Sequence, residues 1–305
     1  MPVKTRLSLT FLLLCGTLAL SAQVRIASPY SRYGLGDLSD VNNAWNLSMG
    51  QSSYALRNPL HINFGNPASY TAFDSLSFLF EGGFSTEFVN LTSNLESTSR
   101  NYASVGYLNI GFPVTRWWKT QIGLLPFSDV GYNVGTIETK EVVGDIIHTY
   151  TGDGGINRFM WGNGFKIFKN LSIGFNVSYM FGNIDIASNV VYPDSLYYAN
   201  LKVENFITMS DIYLDYGIQY YGKFKNGLEF TAGAIFAANA KMSSRADYLA
   251  RTFFLSTTNV EYIKDTVAMG NKYKGDILIP MIAGGGISIG KPDKWIATID
   301  GKWQN

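Results

Sequence analysis

Charge is scarce in this chain. Only 15% of its residues are Asp, Glu, Lys or Arg and the formal balance is +1, whereas an average soluble domain carries about 25% charged residues. A near-neutral chain has no general attraction for nucleic acid, which excludes a strongly basic nucleic-acid binder. Cysteine is almost missing. The single one, Cys15, sits in the N-terminal apolar stretch, so its removal would leave no disulfide, thiolate metal site or Cys nucleophile. Histidine is limited to His61 and His148, far apart in the chain. No Gly-x-Ser-x-Gly elbow accompanies them. Past the first two dozen residues no apolar run approaches the ~18 residues of a membrane helix, which excludes a helical membrane protein.

What is abundant is glycine, with 31 residues, and aromatics, led by 20 Phe and 19 Tyr. The N-terminus also has a recognisable layout. Lys4 and Arg6 precede an apolar stretch from Leu7 to Leu20, and Ser21-Ala22-Gln23 supplies small residues after it. This is the pattern of a secretory signal peptide, expected over residues 1–22. Leu14 stands before Cys15 where a lipoprotein site needs a small residue, so lipid anchoring is not expected.

From Leu76 onward large apolar residues alternate with small or polar ones, the period of a strand with two unlike faces. Leu171, Ile173, Phe175, Val177, Tyr179 and Phe181 are the clearest run. Comparable segments are Leu76–Phe88, Tyr102–Pro113, Trp118–Ile137, Gly155–Phe168, Ile207–Gly222, Leu228–Lys241, Ile277–Gly290 and Trp295–Gln304. About nine strands result, most longer than the ~5 to 6 residues of a globular strand and close to the ~9 to 11 that cross a bilayer. Their connections alternate. Thr115-Arg116-Trp117, Lys169-Asn170, Lys223–Gly227 and Lys291-Pro292-Asp293 are short; 89–101, 138–153, 185–205 and 242–276 are long and polar. Short turns at one end and long loops at the other are a property of transmembrane barrels. Trp117, Trp118, Tyr220, Tyr221, Trp295 and Trp303 lie near strand ends, where amphipathic rings suit the lipid interface.

The chain ends in mid-strand at Trp303-Gln304-Asn305, and single-chain bacterial barrels have even strand numbers. A C-terminally truncated piece is therefore expected. Residues 23–75 show little alternation but hold Leu35, Trp45, Leu56, Ile62, Phe64 and Tyr70 to bury. At about fifty residues they are too long for an idle loop. A plug inside the lumen is the expected role. Pro126 interrupts an alternating run from Ile122 to Val134; without an N–H it must break the ladder locally.

Three stretches carry a resemblance: Ser28-Pro29-Tyr30-Ser31-Arg32-Tyr33-Gly34-Leu35-Gly36-Asp37, Asn66-Pro67-Ala68-Ser69, and Gly123-Leu124-Leu125-Pro126-Phe127-Ser128-Asp129. Together they resemble the FadL family of outer-membrane channels for long-chain fatty acids and other hydrophobic compounds, in its branch with the Ser-Pro-Tyr-Ser start. The resemblance implies an all-β, antiparallel transmembrane barrel of about fourteen strands with an N-terminal luminal hatch. The present chain would hold about nine of them, in residues 76–305. Asn66, Pro67 and Ala68 match the hatch. Leu125, Pro126, Phe127 and Ser128 match a kink in the third wall strand that opens the wall sideways.

The function expected from this reading is passive uptake of long-chain fatty acids or other hydrophobic small molecules across the cell outer membrane, with lateral exit at the kink. Outer-membrane lipid and the hydrophobic substrate are the expected partners. The alternative is a FadL-like barrel used as a docking or shuttle component of protein secretion, as in a type IX system, which calls for a protein partner. A third reading is an outer-membrane enzyme barrel. No catalytic residue, metal site or cofactor is expected: Asp153, Asp185 and Asp194 lack calcium-loop spacing, and Asp211 and Asp215, two apart on one strand face, suit a wet lumen.

Overall fold

The period-two pattern becomes one antiparallel sheet. The computed structural model describes residues 26, 28–39, 42–74, 77–92, 97–193, 197–256, 258, 260–292 and 294–304. The expected leader and Leu76, the expected first residue of the wall, lie outside the described residues. The strands are β1 (Asp37–Leu38), β2 (Leu79–Thr92), β3 (Ser97–Pro113), β4 (Trp118–Lys140), β5 (Gly144–Lys166), β6 (Leu171–Val191), β7 (Asn200–Lys223), β8 (Glu229–Ala237), β9 (Ala240–Leu255), β10 (Glu261–Ile279), β11 (Ile282–Lys291) and β12 (Trp295–Gln304). The sheet is all-β and unclosed.

Two pairs of strands are single crossings interrupted midway. β8 pairs with β11 and β9 with β10, and both breaks fall at one level, at 238–239 and at 280–281. Asn239 Oδ1 accepts the Met281 amide there at 2.5 Å. Beside the break, Asp211 Oδ2 accepts the Ser243 amide at 2.9 Å where the β7 ladder skips. Counted as crossings, the wall has nine strands: β2 to β7, β8–β9, β10–β11 and β12.

The long polar connections proved shorter than expected. Residues 89–101, 138–153, 185–205 and 242–276 are largely strand: β2 runs to Thr92 and β3 starts at Ser97, β4 and β5 run on to a tight turn at 141–143, β6 reaches Val191 and β7 begins at Asn200, and β9 and β10 form a hairpin. Polar residues such as Glu138, Thr139 and Thr149 obscured this. The ladder there is set by backbone pairing with the neighbouring strand. β4 has 23 residues, roughly 75 Å at ~3.3 Å per residue, about twice what a bilayer requires.

The sheet encloses two packed levels. Near the short turns Ile62, Phe64, Tyr70 and Phe73 of the N-terminal segment bury against Leu125 and Met160. Farther along, Val130, Ile156, Met180, Ile184, Met209 and Met242 form a second apolar cluster from inward-facing positions. Outward positions such as Phe80, Ile122, Ile173, Ile212 and Ile218 stay exposed, as a wall with an apolar outer band requires.

Candidate functional site

The N-terminal segment, the expected hatch, packs against the inner face of the unclosed sheet. Asn66 opens a 3₁₀ turn, Pro67–Ala72, its Oδ1 accepting the Ala68 amide at 3.1 Å. Its Nδ2 donates to the Tyr54 carbonyl at 2.7 Å and reaches the wall carbonyls of Ile218 and Ala234 at 3.3 and 3.5 Å. Pro67 suits the turn's first position because its missing N–H would have no partner there. Pro67 and Ala68 press against the wall where it has no side chains. Gly164, Gly174 and Gly217 are register partners on β5, β6 and β7; a Cβ on Gly174 would lie 2.6 Å from the Ala68 nitrogen, and one on Gly217 2.8 Å from Pro67 Cδ.

The N-terminal segment bonds to crossings on both sides of β5, and β5 itself meets it at Met160, at Gly164 and at Tyr150, over whose ring Arg32 lies. His61 Nδ1 meets Glu81 of β2 at 2.8 Å, and the Ala44 amide donates to Tyr107 Oη of β3 at 3.0 Å. Lys119 of β4 donates to the Phe73 carbonyl. Thr71 and Ser172 of β6 share a hydrogen bond of 2.7 Å, and Arg57 donates to Gln219 of β7 at 2.8 Å. Ser288 of β11 donates to the Ala55 carbonyl, and Asp300 Oδ2 of β12 accepts the Ser53 and Tyr54 amides at 2.6 and 2.7 Å. Burial lowers the Arg57 guanidinium to about 10, Tyr221 opposing the shift, and it remains charged at neutral pH.

Above the N-terminal segment lies a buried polar level of which sequence reading singles out only Asp215. Arg158 donates from Nη2 to Asp215 Oδ1 at 2.5 Å and from Nε to Ser178 Oγ at 2.9 Å. Asn176 Nδ2 donates to Asp215 Oδ2 at 2.6 Å, and Tyr70 Oη donates to Asn176 Oδ1 at 2.9 Å. Such a chain satisfies a charge pair that would otherwise be costly to bury. A cavity of about 570 Å³ opens beside it, walled by Leu35, Phe127, Tyr213, Ile235, Ile279 and the ion pair itself.

The kink residues part company. Leu125 is buried in the hatch cluster, Pro126 begins a register shift against β5, Phe127 lines the cavity, and Ser128 is buried against Leu38. Pairing between β3 and β4 ends at Leu108 and Leu124, so the wall splits there. Part of the split is filled from inside. β1 pairs with β4 at Asp37–Asp129 and Leu38–Ser128, the Ser39 amide donates to the Phe127 carbonyl, and the Ser28 amide donates to the Gly131 carbonyl, both at 2.9 Å. Ser31 Oγ accepts the Gly131 amide at 3.1 Å. The Ser-Pro-Tyr-Ser-Arg-Tyr-Gly-Leu-Gly-Asp run is thus the segment that seals the split, and Gly36, at φ +91°, passes too close to Asp129 for any side chain.

His61 and His148 stay apart, the first on the hatch and the second on β5 opposite Thr136. Among the described residues no group of three His, Cys, Asp or Glu is placed to hold a metal.

A large unclosed sheet of long antiparallel strands, with the N-terminal segment packed on it, defines the class: an all-β, β-barrel-like protein. A family model described as BamG matches residues 3–305, and the chain belongs to that family, which is β-barrel-like and outer-membrane-related. No curated protein matches it.

Proposed function

We propose that this protein is an outer-membrane barrel that serves as a docking component for a protein partner. One observation carries the reading: the lumen is occupied by a hatch fixed to both margins of the sheet, Glu81 on β2 and Asp300 on β12, and to the strands between. A plug tied at that many points makes a poor gate, because moving it breaks all the bonds together. The long ordered strands beyond the bilayer offer the exposed surface that a scaffold uses.

A second reading has its own support. The split after Leu124, the register shift at Pro126 and the cavity touching Phe127 fit FadL-like uptake of a hydrophobic molecule with sideways exit. The full-length protein purified from outer membranes in mild detergent separates the two. Docking gives a protein partner in fixed ratio and no bound fatty acid by mass spectrometry. Uptake gives a co-purified fatty acid or hydrocarbon that is lost in Pro126→Ala, Asn66→Ala protein.

A further inference from the structure

The split between β3 and β4 is only partly filled. The hatch covers β4 from Phe127 to Gly131, and among the described residues nothing pairs with that edge from Tyr132 to Lys140. β3 is likewise unpaired on this side from Ser97 to Tyr107, although it keeps its ladder to β2, as β4 does to β5. Two edges therefore flank one slot. Successive residues of a strand aim their backbone groups to opposite sides. Since both backbone groups of Gly131 bond into the slot, those of Asn133, Gly135, Ile137 and Thr139 continue the same row.

Exposed edges are normally blunted by Lys, Pro or a bulge, because each is a template for pairing. Here the β4 edge reads Tyr-Asn-Val-Gly-Thr-Ile-Glu-Thr from 132 to 139, with neither Lys nor Pro and no bulge beyond Ser128. Within the run whose backbone bonds β4 from Phe127 to Gly131, Tyr30, Tyr33 and Leu38 stay 79%, 69% and 59% exposed. About ten residues of β4, from Trp118 to Phe127, suffice to cross a bilayer, so the open edge lies past it, where water solvates the free groups until a strand replaces it.

We propose that the slot is a strand-acceptor site: an extended segment of a partner protein pairs with β4 from Tyr132 to Thr139, continuing the row that β1 begins, with its apolar residues against Tyr30 and Tyr33. The chain itself demonstrates the mode, since the hatch already binds the adjoining part of this edge as an added strand. The proposal rests on the docking reading and specifies its surface.

Hydrogen exchange on the full-length protein tests it, comparing native outer membranes with protein purified away from its partner. The amides of Asn133, Gly135, Ile137 and Thr139 should exchange at least about tenfold more slowly in membranes and lose that protection on purification. Ile137→Pro, which removes one slot-facing N–H and leaves the β5 ladder intact, should abolish partner recovery while heat-modifiable migration is unchanged. Thr136→Lys serves as a second, better tolerated block. A photo-crosslinker at position 135 should link to one contiguous segment of another protein. Protection that persists in the purified protein, or crosslinks to residues 23–27, to β3 or to a second copy, overturns the proposal. Fast exchange in both samples also overturns it, and if a partner still co-purifies, the docking reading survives without this site.

Discussion

At Gly174 and Gly217 a hydrogen is all the wall can carry, because the hatch backbone lies where a methyl group would go. Gly174→Ala and Gly217→Ala should each cost about 1–3 kcal/mol through overpacking, read as a lower temperature for loss of heat-modifiable migration. Gly301, with nothing near its missing Cβ, should accept alanine without change. Arg158→Met leaves Asp215 buried without its cation and should cost about 3–5 kcal/mol, with Arg158→Met, Asp215→Leu much milder; equal losses in the two would show that the ion pair contributes nothing beyond its bulk. Sequence reading placed Asp215 on the lumen face but found no partner for it. Arg158 is on another strand, two neighbours away, and only strand register brings the two together. The glycines were visible as composition, and their alignment across β5, β6 and β7 needed that same register.

Among the elements, β1 is the smallest, yet it stands in for a wall neighbour of β4. Its two residues and the flanking Ser28 and Ser39 replace the neighbour that β4 loses after Leu124. Ser31→Ala removes the acceptor of the Gly131 amide and should cost about 1–2 kcal/mol, with faster exchange at Gly131 and little change on the β5 side of β4. Gly36→Ala should do more, since it also strains a positive φ. If either variant leaves exchange at Gly131 unchanged, the hatch strand is not what protects that edge. Pro126 was legible as a break because proline denies one donor to any ladder. The filling of that break was not, because residues 28–39 show no strand period and pair only through a few backbone groups. The strand extensions past 138 and 185 escaped for a related reason: polar residues interrupt their alternation, and backbone pairing alone sets their ladders.

For the molecule as a whole, wall and hatch form one structure. Deletion of residues 28–72 should yield no heat-modifiable barrel, measured on membranes of cells making the variant; a folded variant that admits large antibiotics would show that the wall stands alone. The nine crossings were legible from period and turn length. The density of the plug was not, since the residues that fix it, such as Ser53 and Asp300, are common polar types lying 247 positions apart. That separation has a kinetic side. The amides of Ser53 and Tyr54 are synthesised early, while the carboxylate that binds them follows only after more than two hundred further residues. Closing so long a loop in one step is entropically slow, but strands added in chain order onto the hatch shorten each closure to one hairpin. On that order the N-terminal segment would act as a mould, enclosed as the wall forms instead of entering a finished pore.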